Sequence, residues 1–286
     1  MTQQATDAHG SVRVRPFALV GAFLRRDFSI ALSYRLPFFV DLVNTMSSLV
    51  LFFFLARFVD QATVAGSTFA SEPLEKGYFP FVVLGIALLG ILQTGLTAFD
   101  QRIRMDQSTG TLEALLATPP QAWVTVLASS AYQLAYATVS SVLYIAVAAF
   151  LFGVRFDVQP LGVAVAVVGL LATVLLFAAL GMVLAAVTVV FKRAGGVIGL
   201  VTTGLALLAG VYYPLEVLPR PLEVLGRALP FTWSVDLIRD CLLEAKAPVG
   251  QLATLLTVAV LTTVLAVRVF SGAIDVARRS GTLGQY

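Results

Sequence analysis

Side chains that do covalent and acid–base chemistry are nearly absent from this chain. In 286 residues there is one cysteine, Cys241, and one histidine, His9. A lone cysteine excludes an intrachain disulfide and a thiolate metal site. A lone histidine in a polar N-terminal stretch leaves no His-rich metal centre and no histidine catalysis. A phosphate-binding loop needs a glycine-rich turn ending in Lys-Ser or Lys-Thr, so that backbone amides and the lysine hold phosphates. The three lysines, Lys76, Lys192 and Lys246, are followed by Gly77, Arg193 and Ala247. The chain therefore cannot hold a nucleotide by that device. No Gly-x-Ser-x-Gly elbow, His-Glu-x-x-His helix or intramembrane carboxylate pair is present either, which disfavours a membrane-embedded enzyme.

What the sequence offers instead is three patterned stretches. In the first, Gly110, Thr111, Leu112, Glu113, Ala114, Leu115, Leu116, Ala117 and Thr118 precede Pro119 and Pro120. Gly110 can serve as an N-cap, which puts Glu113 at N3, where a carboxylate favours the helix dipole. Leu112, Leu115 and Leu116 then form one apolar face before the prolines stop the helix. Such a helix suits docking into a groove on another protein; a connector packed on the membrane surface fits the spacing equally. In the second stretch Tyr132, Tyr136, Ser140 and Tyr144 recur every four residues on one helical face, with Ser129, Gln133 and Ser141 nearby. That face could line a passage for a ring-bearing substrate, or pack and anchor a helix. In the third, Pro214, Pro219, Pro221 and Pro230 punctuate a segment that leaves room for a helix near 222–229 and a second over 233–244, capped by Thr232. Tyr212, Tyr213, Pro214 and Leu225 are its candidate gate residues. An interfacial loop held by Phe231 and Trp233 is the plainer alternative.

The elements that position these stretches are membrane helices. Hydrophobic residues make up 58% of the chain and charged residues 12%, where a soluble domain carries about 25% charged residues. The apolar residues fall into six blocks, 38–59, 79–99, 124–152, 161–191, 195–213 and 252–270. The fourth is longer than a ~30 Å hydrocarbon core requires, and the fifth is barely long enough. Asp41, Arg57 and Arg268 lie near block ends, and no intramembrane charge marks an ion route. Gly195, Gly196, Gly199 and Thr203 make a small-residue face that permits close helix contact. Six spans put both termini on one side. Eleven Lys and Arg residues fall on that side, from Arg13 to Arg279, against six on the other, so the termini are cytoplasmic. Residues 16–36 read as a helix on the cytoplasmic surface. Arg25, Arg26, Ser29 and Ser33 form one arc; Phe17, Val20, Phe23, Leu24, Phe28, Ile30 and Ala31 form the other, with Asp27 intruding. It is either an anchor or a lever from a cytoplasmic partner to the first span. The net charge of +3 is too small to argue for a nucleic-acid partner.

The expected fold is all-α and integral to the membrane. Residues 1–15 form a polar tail, 16–36 the amphipathic interfacial helix, 37–271 a six-transmembrane-helix bundle and 272–286 a cytoplasmic tail. Re-entrant helices over 214–248 precede the last span on the outer side.

The stretch from Gly110 to Pro119 resembles the cytoplasmic loop of the ATP-binding-cassette type 2 permeases, the membrane subunits of bacterial exporters. The run Val211-Tyr212-Tyr213-Pro214-Leu215-Glu216-Val217-Leu218-Pro219 is similar to that family's segment after its fifth span. The resemblance extends from about residue 16 to 270. It implies a permease in the bacterial plasma membrane, with 110–118 as the coupling helix in a cleft of a separate ATPase. Lys192 and Arg193 would make a second, smaller contact, though positive-inside anchoring explains them as well. It further implies two permease chains, identical or paralogous, with two ATPases that bind ATP and Mg, leaving no cofactor in this chain. The implied cargo is drug-like, lipid or glycolipid. A polysaccharide exporter of the same superfamily is the alternative. An ion-coupled secondary transporter is the rival of another class, but neither an internal repeat nor a midplane charge is visible.

Overall fold

The structure, a computed structural model, describes residues 16–33, 35–64, 77–108, 122–191 and 195–279. The coupling stretch 110–118, Lys192 and Arg193, and both chain ends lie outside the described residues. Among the described residues there are nine α-helices and no strand: α1 (Pro16–Ser33), α2 (Arg35–Val64), α3 (Tyr78–Ser108), α4 (Ala122–Phe152), α5 (Pro160–Phe191), α6 (Gly195–Leu208), α7 (Arg220–Ala228), α8 (Pro230–Leu243) and α9 (Val249–Arg279). A one-turn 3-10 helix, Leu215–Val217, precedes α7.

Five of these, α2, α3, α4, α5 and α9, are long and apolar enough to cross a membrane. Their apolar windows coincide with five of the six sequence blocks to within a few residues. The fifth block departs from expectation. Its helix α6 has 14 residues and reaches only about 21 Å at 1.5 Å per residue, short of a ~30 Å core. The block's last residues are a turn, in which Gly210 has φ +67°. That is the left-handed conformation glycine adopts without a Cβ penalty just past a helix end. A second departure is at the C-terminus, where α9 continues to Arg279 and takes in the first half of the expected tail.

Helix starts follow their local chemistry. Pro160 and Pro230 begin α5 and α8, where the missing amide would be unpaired anyway. The Tyr78 amide at the start of α3 donates to the Asp60 carboxylate at 3.3 Å, a cap supplied from near the end of α2. Arg26 pairs with the intruding Asp27 of α1 at 2.7 Å, and α1 lies along α4.

α3 is the axis of the bundle. α4 and α5 flank it, α9 runs along α5, and α2 touches α3 and α4 along a narrow strip. In that strip Leu49 and Ala56 are buried, while Phe39, Val43, Leu51, Phe54 and Phe58 are exposed. α3 and α5 approach most closely at two glycines. A Cβ at Gly181 would sit 2.9 Å from the Gly95 carbonyl carbon, and one at Gly95 would sit 2.6 Å from Phe177 Cβ. Only glycine permits backbones that near.

Candidate functional site

Between α6 and α7, over 209–219, the chain stops being regularly helical. Helix ends leave carbonyls without partners, and such groups are tolerated in a membrane only when buried in protein or facing a cavity. Here four of them are met by side chains. The Tyr213 hydroxyl donates to Leu207 O at 2.6 Å. Arg239 Nη1 donates to Gly210 O at 3.0 Å and its Nη2 to Val211 O at 3.3 Å. The Tyr78 hydroxyl donates to Tyr212 O at 2.9 Å. The turn is thus held chiefly from α3 and α8, with one bond of its own from Tyr213 to Leu207.

Arg239 is the centre of this arrangement. It is 8% exposed, and it also donates through Nη2 to Phe81 O at 3.0 Å. Its guanidinium carbon lies 3.4 Å from the centre of the Phe81 ring. Arginine stays protonated in proteins, so this is a full charge sheltered by carbonyl dipoles and a ring face. Gly85 makes the approach possible: a Cβ there would lie 2.6 Å from Val211 O and 3.1 Å from Arg239 Nη2.

α7 and α8 pack by similar means. Thr232 does not cap α8, which begins at Pro230. Its hydroxyl donates to Gly226 O at 2.6 Å, and Trp233 Nε1 donates to Arg227 O at 2.8 Å. Both bonds fasten α8 to the preceding helix. Arg227 pairs with Glu223 at 2.8 Å and Glu216 at 3.1 Å on the surface, contacts worth about 0–1 kcal/mol. At the rim the Glu244 carboxylate holds the Lys246 ammonium above its ordinary pKa, and burial pushes Asp240 up.

The expected gate residues divide. Tyr212 and Pro214 belong to the packed turn; the Tyr212 ring stacks on Phe52 of α2, centroids 6.0 Å apart, and Pro214 is buried. Tyr213 uses its hydroxyl on Leu207. Leu225 does not pack on span ends: it is 56% exposed, because α7 turns Gly226 inward, against Leu208 O and Leu215.

The tyrosine face of α4 looks toward α2. The Tyr136 hydroxyl donates to Asp41 Oδ2 at 2.6 Å, and the Tyr144 hydroxyl is 3.2 Å from Ser48 Oγ. Tyr132 stacks on Tyr136, centroids 6.2 Å apart. Ser141 turns the other way and donates to Ala87 O of α3 at 2.6 Å. Ser130 Oγ and Gln133 Oε1 are buried without a hydrogen-bond partner among the described residues. Spacing alone predicted the shared face, while its neighbour came from the fold. No group of three or more His, Cys, Asp or Glu side chains that could hold a metal occurs among the described residues.

Sequence reasoning passed over Arg239, Tyr78, Phe81 and Gly85, and a second buried charge. Asp100 of α3 is 6% exposed, accepts from Arg104 Nε at 2.8 Å and from Thr188 Oγ1 of α5 at 2.6 Å. Both are buried charges that the span pattern did not flag, Asp100 just past the end of the second apolar block and Arg239 in the segment after the fifth.

The sequence profile of the ABC-2 type transporter family matches residues 18–243, which takes in α1 to α8 and the whole of the sealed turn. The chain belongs to this family. It is the membrane domain of an ABC-type transporter, a multi-pass permease and not a catalytic domain, and its family works with ATPase subunits. A search of curated proteins gave no match to this permease.

Proposed function

We propose that this permease is the transmembrane subunit of an exporter driven by a separate ATPase, working as two permease chains with two ATPases. The observation that carries the reading is the family match over residues 18–243, which includes the inter-helix stretch 109–121. The absence of a phosphate-binding loop from these 286 residues supports an energy source in a separate ATPase. In this reading Gly110, Thr111, Leu112, Glu113, Leu115 and Leu116 seat on the ATPase, with Lys192 and Arg193 as a smaller contact. Both termini and both loops are cytoplasmic, in keeping with the excess of Lys and Arg on that side. α6 and its turn make the fifth crossing, with 214–248 re-entering the outer leaflet as the gate. The sheltered carbonyls of the turn support this, since broken backbone at membrane depth needs such partners. The cargo is a drug-like, lipid or glycolipid molecule drawn from the cytoplasm or inner leaflet. It passes the seam between α2 and α4, where Tyr132, Tyr136, Ser140 and Tyr144 offer rings and hydroxyls.

The test is co-purification of the ATPase with tagged permease. Glu113→Ala removes a first-turn carboxylate worth about 0.3–1 kcal/mol at an exposed site, too little to affect insertion. Leu115→Asp places a charge in an apolar groove. Normal membrane levels with reduced ATPase recovery are expected, more so for Leu115→Asp. Full ATPase binding by both variants would refute the coupling assignment.

A further inference from the structure

α3 and α5 end at Ser108 and Phe191, where the two loops that the proposed function seats on the ATPase begin. Toward those ends the helices are joined by a buried hydrogen bond to a carboxylate. Thr188, 1% exposed, donates from Oγ1 to Asp100 Oδ1 at 2.6 Å, and Arg104 Nε donates to Oδ2 at 2.8 Å. Hydrogen bonds to an ionised acceptor are short and strong. Packing alone does not call for a carboxylate here, because apolar residues of similar size hold two helices together at least as well. What the link adds is a fixed register between α3 and α5.

The rest of the pair is equally continuous. Phe99, Ile103, Met182, Ala185 and Ala186 are buried together beside the link. Further along, Gly95 and Gly181 bring the backbones into contact. No proline interrupts 81–108 or 161–191, so neither helix carries the commonest cause of a kink. At the far end α8 is fastened to both: Arg239 donates to Phe81 O of α3, and Leu237 fills the notch at Gly169 of α5.

We propose that α3 and α5 act as one lever, and that the Asp100–Thr188 bond is the pin that makes the two ATPase-facing loops move together and carry that motion to α8. Asp100 and Thr188 are positioning residues: they touch neither nucleotide nor cargo. The inference rests on the exporter reading for the identity of the loops, and on the geometry alone for the pin.

The experiment places spin labels at Gln107→Cys and Ala194→Cys in a Cys241→Ser chain. The inter-label distance is measured by electron spin resonance in the permease alone, and in the complex with ATP and vanadate. With the pin intact the distance distribution is narrow and unchanged by nucleotide. Thr188→Val, which keeps the shape and removes the hydroxyl, broadens it in both samples; Thr188→Ser restores it. In a second assay, ATP with vanadate changes the rate at which a membrane-impermeant thiol reagent labels Ala245→Cys. Thr188→Val abolishes that change while ATP hydrolysis persists, and Thr188→Ser retains it. A Thr188→Val chain with an unchanged narrow distance overturns the pin, as does a parent complex whose loops move apart on nucleotide binding. Failure of the exporter reading is separate: the parent permease then brings no ATPase with it, whereas the permease-alone measurement still decides the pin.

Discussion

Adding one methyl group at Gly85 should loosen the sealed turn, and the size of the effect can be worked out. The new Cβ would lie 2.6 Å from Val211 O and 3.1 Å from both Val211 Cα and Arg239 Nη2. The turn must recede by most of an ångström to restore ordinary contact. Arg239 Nη2 already sits 3.3 Å from Val211 O, so the same movement breaks that bond. Overpacking costs about 1–3 kcal/mol, and a lost hydrogen bond to a charged group about 1.5–3 kcal/mol. Alanine returns up to about 1 kcal/mol of helix propensity. The net is a destabilisation of roughly 2–5 kcal/mol. Gly90→Ala is the matched control on the same helix, since its Cβ meets nothing nearer than Ser141 Oγ at 3.8 Å; it gains the propensity and loses nothing. The assay is built into the chain. Cys241 is the single cysteine and is buried in α8, so a thiol-reactive fluorogenic dye reports the opening of this region on heating. Gly85→Ala should label at a midpoint lower by about 5 °C or more, from a few degrees per kcal/mol for chains of this size. A midpoint equal to or above that of Gly90→Ala would refute the reasoning.

Three other perturbations probe orientation, exposure and the tyrosine face. With Cys241 replaced, Ser71→Cys and Ala245→Cys should react in intact cells with a membrane-impermeant thiol reagent while Ser108→Cys does not; labelling at 108 would reverse the proposed orientation. Leu225 is exposed on the chain, so in the proposed re-entrant setting Leu225→Asp should lower the midpoint of Cys241 protection through the cost of a charge facing lipid; an unchanged midpoint would place the α7 face in water and refute the re-entrant reading. Tyr136→Phe removes the bond to Asp41 and should cost about 1 kcal/mol. A thermal double-mutant cycle with Asp41→Asn checks it, and strictly additive effects would show that the pair does not interact.

The long helices were legible because a membrane imposes one requirement on composition and length together. Twenty or so apolar residues form a helix whatever their order, and both ends of such a run are marked by charge or proline. The end of α6 was not legible for the same reason. Val211, Tyr212 and Tyr213 are as apolar as the helix before them, and hydropathy does not distinguish a spanning turn of helix from a buried bend. What stops the helix is Gly210 and donors from Tyr78 and Arg239, distant in sequence. Arg239 itself reads as the polar phase of an amphipathic helix beside Asp236 and Asp240, and Asp100 reads as a solvated helix end beside Arg102 and Arg104. Their burial is decided by α3 and α5, which no local window contains. Thr232 has the chemistry of a cap and the wrong neighbour for one: Pro230 had already begun the helix. Of the candidate sites, spacing predicted the common face of Tyr132, Tyr136 and Tyr144, but Leu225 faces away because Gly226, and not a leucine, suits the tight contact with Leu208.

The placement of α3 also sets an order of construction. It is the second long helix to be made, and 72% of its apolar window is buried, against 11% for α2. Its C-terminal half is closed by α5 and by Ala266, Phe270 and Ile274 of α9, which are translated well after it. α2 waits on them far less, because most of its apolar window is exposed even in the folded chain. α3 has no such independence: Asp100 and the glycine notches stay uncovered until partners made much later arrive. Contacts so far apart in sequence form slowly. The core around α3 is therefore completed only when α9 docks, and until then the nascent chain depends on whatever shields a half-built helix in the membrane.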